Sequence, residues 1–230
     1  SNLQILIPYF YNNDYKKVQS SVAWFKSILP TVDLSQENSK VIFAQFYLFS
    51  GQYNDFIHSD YEGALSDYES GLRLLRGLEE KKYAIVYTLY TVKAQTLFEH
   101  GQLQKALDIL PEAEAIIKKH TDLPNAGLFY FVKAYVALGA GDLKSATDSV
   151  KDLLKVEGHF PKNVFSAPTY FLKAEILTKS GGSQESYKMM CDLLGTLSQQ
   201  EEEHFQLRPI ILRELSRAAL KLGKHKKSRE

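Results

Sequence analysis

The residues able to do chemistry in this chain are few and poorly placed for it. Six histidines, His58, His100, His120, His159, His204 and His225, are scattered along the 230 residues. None stands in a His-Glu-x-x-His arrangement or beside a cysteine at metal-ligand spacing, the patterns that put two donors on one helix face or one turn. The single cysteine, Cys191, lies in the run Met189-Met190-Cys191. To act as a nucleophile it would need a histidine brought to it by the fold; the run reads more simply as a core or surface stretch of a helix. Gly181-Gly182-Ser183 is followed by no Lys-Ser/Thr pair, so a phosphate-binding loop is not expected there. The reading is of a chain that is not an enzyme, with no catalytic residue, no metal and no cofactor.

Charge offers two further possibilities. Lysine and arginine total 28 against 27 acidic residues, a formal net charge of +1, so no global field draws the chain to nucleic acid or to an anionic membrane. Partners must be chosen by local surface. Lys221, Lys224, Lys226, Lys227 and Arg229 form a basic end that either steers an acidic partner or is a solvated terminus. Lys93, Lys133 and Lys173 recur at 40-residue intervals; they form either a cationic ladder or stems lying between apolar neighbours with their ammonium groups in water. No run approaches the roughly 20 apolar residues of a membrane span, and Ser1-Asn2-Leu3 does not open like a signal peptide, although a longer parent chain would hide one. With one cysteine and no Asn-x-Ser/Thr, the expected compartment is the reducing cytoplasm.

The elements that must hold these residues are read from a repetition. Tyr90-Thr91-Val92-Lys93-Ala94, Tyr130-Phe131-Val132-Lys133-Ala134 and Tyr170-Phe171-Leu172-Lys173-Ala174 follow one another at 40 residues. Each is trailed by a turn: Gly101-Gln102-Leu103, Gly141-Asp142-Leu143 and Gly181-Gly182-Ser183. A fixed period in this range marks an array of supersecondary units that bury their apolar faces only against neighbours. First helices are expected over residues 83–99, 125–138 and 167–179, and second helices over 103–119, 143–156 and 183–197, with Pro111 kinking its helix.

Upstream, Leu3, Ile5, Leu6, Ile7 and Phe10 make an apolar segment interrupted by Pro8, and Asn13 takes a turn position. Val18, Val22, Phe25 and Leu29 keep helical spacing as far as Pro30. A further unit opens at Val41 and reaches Gly51, where the frame breaks, and a good second helix begins eight residues late at Asp60. Residues 52–59 are therefore expected as an insertion between two helices, either a variable loop or a partner contact through Tyr53, Phe56 and His58. Downstream, Glu201-Glu202-Glu203 opens a last helix whose carboxylates complement its dipole. The whole, residues 1–230, reads as one array cut or capped at both ends.

The residues just aligned resemble the tetratricopeptide repeat (TPR) family. Tyr90, Ala94, Leu97, Gly101, Ala106, Leu110 and Ala113 follow its large, small, large, Gly, small, large, small order, and Asp60-Tyr61-Glu62-Gly63-Ala64-Leu65 is the most family-like second helix. A small residue in each helix lets two backbones approach while large neighbours fill the space beside them. The departures are a 40-residue unit in place of about 34, and lysine at 93, 133 and 173 where the family prefers leucine. The resemblance implies an all-α, right-handed solenoid of antiparallel helix hairpins, in a long-helix variant.

It also implies an inner wall built from the first helices. By phase against Ala94, Ala134 and Ala174, the wall should present Thr91, Gln95, Phe98 and Glu99, then Phe131, Tyr135 and Leu138, then Phe171, Glu175 and Thr178, with Gln45, Leu48 and Phe49 extending it. The expected partner-binding residues are Gln95, Phe98, Phe131, Tyr135, Phe171 and Glu175. The partner is a protein or peptide segment held as in helix-in-groove recognition, with no nucleic acid and no membrane; alternatively the aromatics only touch one another. The function read from this is a non-catalytic interaction scaffold, the alternative being the ligand- or peptide-sensing domain of a larger regulatory protein.

Overall fold

The computed structural model describes residues 15–120, 126–157 and 166–198, together with 212, 215–216, 219–220 and 222–223. Among the described residues the chain is all-α. In order stand α1 (Tyr15–Ile28), α2 (Glu37–His58), α3 (Tyr61–Leu74), α4 (Tyr83–Glu99), α5 (Leu103–His120), α6 (Gly127–Ala140), α7 (Leu143–Glu157), α8 (Ser166–Lys179) and α9 (Ser183–Ser198). The apolar opening segment, Asn13, most of the last helix with its Glu201-Glu202-Glu203, and the basic end lie outside the described residues.

The chain divides into two compact units, Ser1–His120 and Thr121–Glu230. In the first, α2 pairs with α3 and α4 with α5, while α4 also packs on α3 and touches α2; α1 rests on α2. In the second, α6 pairs with α7 and α8 with α9, and α8 packs on both α7 and α6. Within each unit, helices adjacent in sequence are adjacent in space, as a repeat built from hairpins requires.

Three of the hairpins turn in the same way. Gly101 and Gly141 have φ of +78° and Gly181 of +93°, a left-handed conformation that costs an L side chain energy and glycine nothing. The next residue's N–H then reaches back to close the helix: Gln102 to the Leu97 carbonyl at 2.8 Å, Asp142 to Ala137 at 2.9 Å and Gly182 to Leu177 at 2.7 Å. Second helices start immediately after. Asp142 accepts from the Ser145 N–H at 2.9 Å, and Asp60 caps α3 by accepting from Gly63 at 2.9 Å, each satisfying an orphan donor of the first turn.

Close approach within the hairpins follows from the small residues. Ala94, Ala106, Ala134 and Ala146 are fully buried and Ala174 is nearly so. In the last hairpin a serine takes the small position. The Ser186 hydroxyl donates to the Ala174 carbonyl at 2.9 Å and accepts from Thr178 at 2.7 Å, so its burial leaves no polar atom unmet.

Two expectations are corrected here. Residues 52–58 are not a loop: α2 runs unbroken for 22 residues to His58, two turns longer than the frame allows. Gly51 is a close-approach glycine and not a turn. A Cβ built on it would stand 2.3 Å from Cε1 of Tyr68, whose ring is 1% exposed and has nowhere to go. Gly51→Ala should therefore lose about 1–2 kcal/mol: overpacking costs about 1–3 and the better helix former returns up to about 1. Urea unfolding followed by fluorescence of Trp24, the single tryptophan, measures it, and an unchanged or raised midpoint would contradict the close approach.

Pro111, expected to kink its helix, lies exposed inside α5, which continues across it from Leu103 to His120. On the outer face, water can serve the carbonyl that the ring leaves without a donor.

Candidate partner-binding face

The second unit holds four of the six expected contact residues together. Phe131 and Tyr135, four apart on α6, lie on one face and stack with ring centroids 6.0 Å apart and planes at 20°. Tyr135 meets Phe171 of α8 edge to face, 6.4 Å away at 63°. All three rings are half-buried, as is Glu175 one turn beyond Phe171. The positions flanking these on the same helices, Val132 and Ala134 on α6 and Leu172 and Ala174 on α8, are buried. The packing therefore fixes the aromatic run in place: α6 and α8 cannot rotate without withdrawing these residues from the core.

Gln95 and Phe98 belong to α4 of the first unit. Both are half-buried, and the Gln95 amide donates to Glu99 at 2.9 Å. Four wall positions are corrected. Thr91 is 1% exposed, Leu138 3%, Phe49 8% and Thr178 9%, so none of them lines a free surface. Phe49 joins Val18, Val22 and Phe25 of α1 in one apolar cluster. The Thr91 hydroxyl is satisfied by the Tyr87 carbonyl at 2.7 Å. Gln45 is exposed and Leu48 half-buried.

The recurring lysines take different partners. Lys93 pairs with Glu69 and its side chain is only 16% exposed, Lys133 lies 5.9 Å over the Phe129 ring, and Lys173 lies 5.6 Å over Tyr170. Cys191 is exposed with a free thiol.

The sequence reading missed a polar network in the first unit. Asp55, on the two extra turns of α2, is buried; it accepts from the Thr96 hydroxyl at 2.5 Å and lies 3.0 Å from His100 Nε2. Tyr61 stacks on the His100 ring at 4.6 Å. The fully buried Tyr68 hydroxyl is hydrogen-bonded to Thr96, and burial pushes its pKa above the ordinary value. These groups tie α2, α3 and α4 together. Thr96 and His100, four apart on one helix face, were the available signal.

No protein-family profile matches the sequence, and no curated protein does. Solved structures do. One is the crystal structure of a Podosopora anserina protein assigned as a kinesin light chain with nearly identical TPR-like repeats; it superposes with a TM-score of 0.58 over 86% of this chain and 92% of that one. The fold is TPR-like. At 14% identity the likeness concerns the fold alone.

Proposed function

We propose that this TPR-like chain is a non-catalytic scaffold, working in the cytoplasm, that binds a peptide or partner segment on the exposed faces of its first helices. The observation that carries the reading is the continuous run Phe131–Tyr135–Phe171 across α6 and α8, half-buried and held by a packed core behind it. Pre-positioned aromatic rings bury a large area at low entropic cost, which is why they dominate binding energy where they occur. Glu175 at the edge of the run would orient a donor on the bound segment, and Gln95 and Phe98 are the matching residues of α4. Free thiol Cys191 accords with a reducing compartment.

The test is affinity capture from lysate with the wild-type chain and with Tyr135→Ala/Phe171→Ala, followed by titration of the captured partner. The double variant should keep its helical circular dichroism and lose at least about thirtyfold in affinity, since a truncated hot-spot aromatic costs about 2 kcal/mol or more. Equal affinity for a folded double variant would remove the reading.

A further inference from the structure

Away from the aromatic run, the first unit carries a cleft of about 340 Å³ between α3 and α4. Its floor is apolar, from Leu72 and Val86, and its walls are Arg73, Arg76 and Tyr90, with Glu69, Glu79 and Lys93 at the edges. Lys93 and Glu69 neutralise each other in an ion pair. What remains lining the cleft is Arg73 and Arg76 against Glu79, with Glu112 acting on Tyr90 from beside it. Arg73 donates to the Ser70 hydroxyl at 2.9 Å, and among the described residues neither arginine has a carboxylate within ion-pair distance. Both are exposed.

We propose that this cleft docks an acidic segment of a partner protein, with carboxylates on Arg73 and Arg76 and an apolar side chain on the Leu72–Val86 floor. A guanidinium offers a planar fork of donors that matches a carboxylate, and it stays charged at any physiological pH. Arg73 lies in the last turn of α3 and Arg76 two residues past its end, where positive charge also complements the helix dipole. That role alone needs no adjoining cavity and no apolar floor, so the two uses make different predictions. The site is independent of the aromatic run, which lies in the other unit.

The experiment uses the full chain and two fluorescein-labelled peptides, Glu-Glu-Leu-Glu-Glu and its Gln-Gln-Leu-Gln-Gln counterpart, read by fluorescence anisotropy. The acidic peptide should bind and weaken as salt is raised, because exposed charges are screened within about 8–10 Å at ordinary ionic strength. Arg73→Gln/Arg76→Gln should weaken it about tenfold or more, consistent with losing charge-assisted hydrogen bonds, while Tyr135→Ala/Phe171→Ala leaves it unchanged. Circular dichroism confirms that each variant is folded. No binding of the acidic peptide, equal binding of both peptides, or full affinity in the folded arginine double variant would each overturn the proposal. A single-stranded oligonucleotide that outcompetes the acidic peptide at these residues would reassign the cleft to another ligand and also overturn it.

Discussion

Phe46→Ala is expected to destabilise the first unit by about 3–5 kcal/mol, the cost of emptying a fully enclosed phenylalanine site. Phe46 is fully buried and sits at the centre of a ring cluster. It stacks on Phe25 at 5.0 Å and 21°, meets Phe43 edge to face at 6.1 Å, and lies 5.5 Å from Tyr47. Such pairs add about 0.5–1.5 kcal/mol beyond the area they bury. Domains hold only about 5–15 kcal/mol in total, so this one truncation removes a large share. Trp24 lies 5.0 Å from Phe25, and its fluorescence therefore reports the melting of this cluster. The urea midpoint of that signal should fall with its slope unchanged; a loss under about 1 kcal/mol would mean the α1–α2 packing is not as described.

Asp55→Ala is the second large effect, expected at about 2–4 kcal/mol from the loss of hydrogen bonds to a charged acceptor worth about 1.5–3 each. Thr96 is 1% exposed, so no water replaces the acceptor its hydroxyl loses. The His100 side chain is 30% exposed and can turn to solvent, which is why the larger part of the cost falls on Thr96. Asp55→Asn keeps an acceptor oxygen for Thr96 and should lose only about 1 kcal/mol by the same bookkeeping. Equal losses for the two variants would show that the carboxylate's charge, and not the Thr96 bond, holds α2 to α4. A loss below about 0.5 kcal/mol in the alanine variant would show that the network is not formed.

The helices that carry Asp55 and Thr96 were legible in the sequence to different degrees. The bounds of α4 agree with residues 83–99 as expected, because a turn glycine, a small residue and apolar spacing all point the same way there. At Gly51 the same code misled. A glycine at a helix end and a glycine under a neighbouring ring are both simply glycine, and only Tyr68 of α3, unseen as a neighbour, distinguishes them. The spacing Phe46, Phe49, Tyr53, Ile57 did keep a helical stripe through the supposed insertion. Asp55 and Thr96 are 41 residues apart, and nothing local connects them.

The inner-wall reading, made by helical phase against the small alanines, failed at Thr91, Leu138, Phe49 and Thr178, all buried. Thr91 and Thr178 are buried because each hydroxyl finds a carbonyl or a serine nearby, so a threonine carries little information about solvent. Phe49 is covered by α1, an element whose docking site the repeat frame did not specify. The arginine cleft was invisible for a related reason: Arg73 and Arg76 matter only because Leu72 and Val86 stand between two helices beneath them.

The most direct test of the scaffold reading is site-specific photo-crosslinking. Benzoylphenylalanine placed at Tyr135, on the aromatic run, is compared with the same group at Asp148, exposed on α7. The account predicts that position 135 crosslinks the captured partner and that position 148 does not. Crosslinking from 148 with none from 135, in chains that both capture the partner, would contradict it.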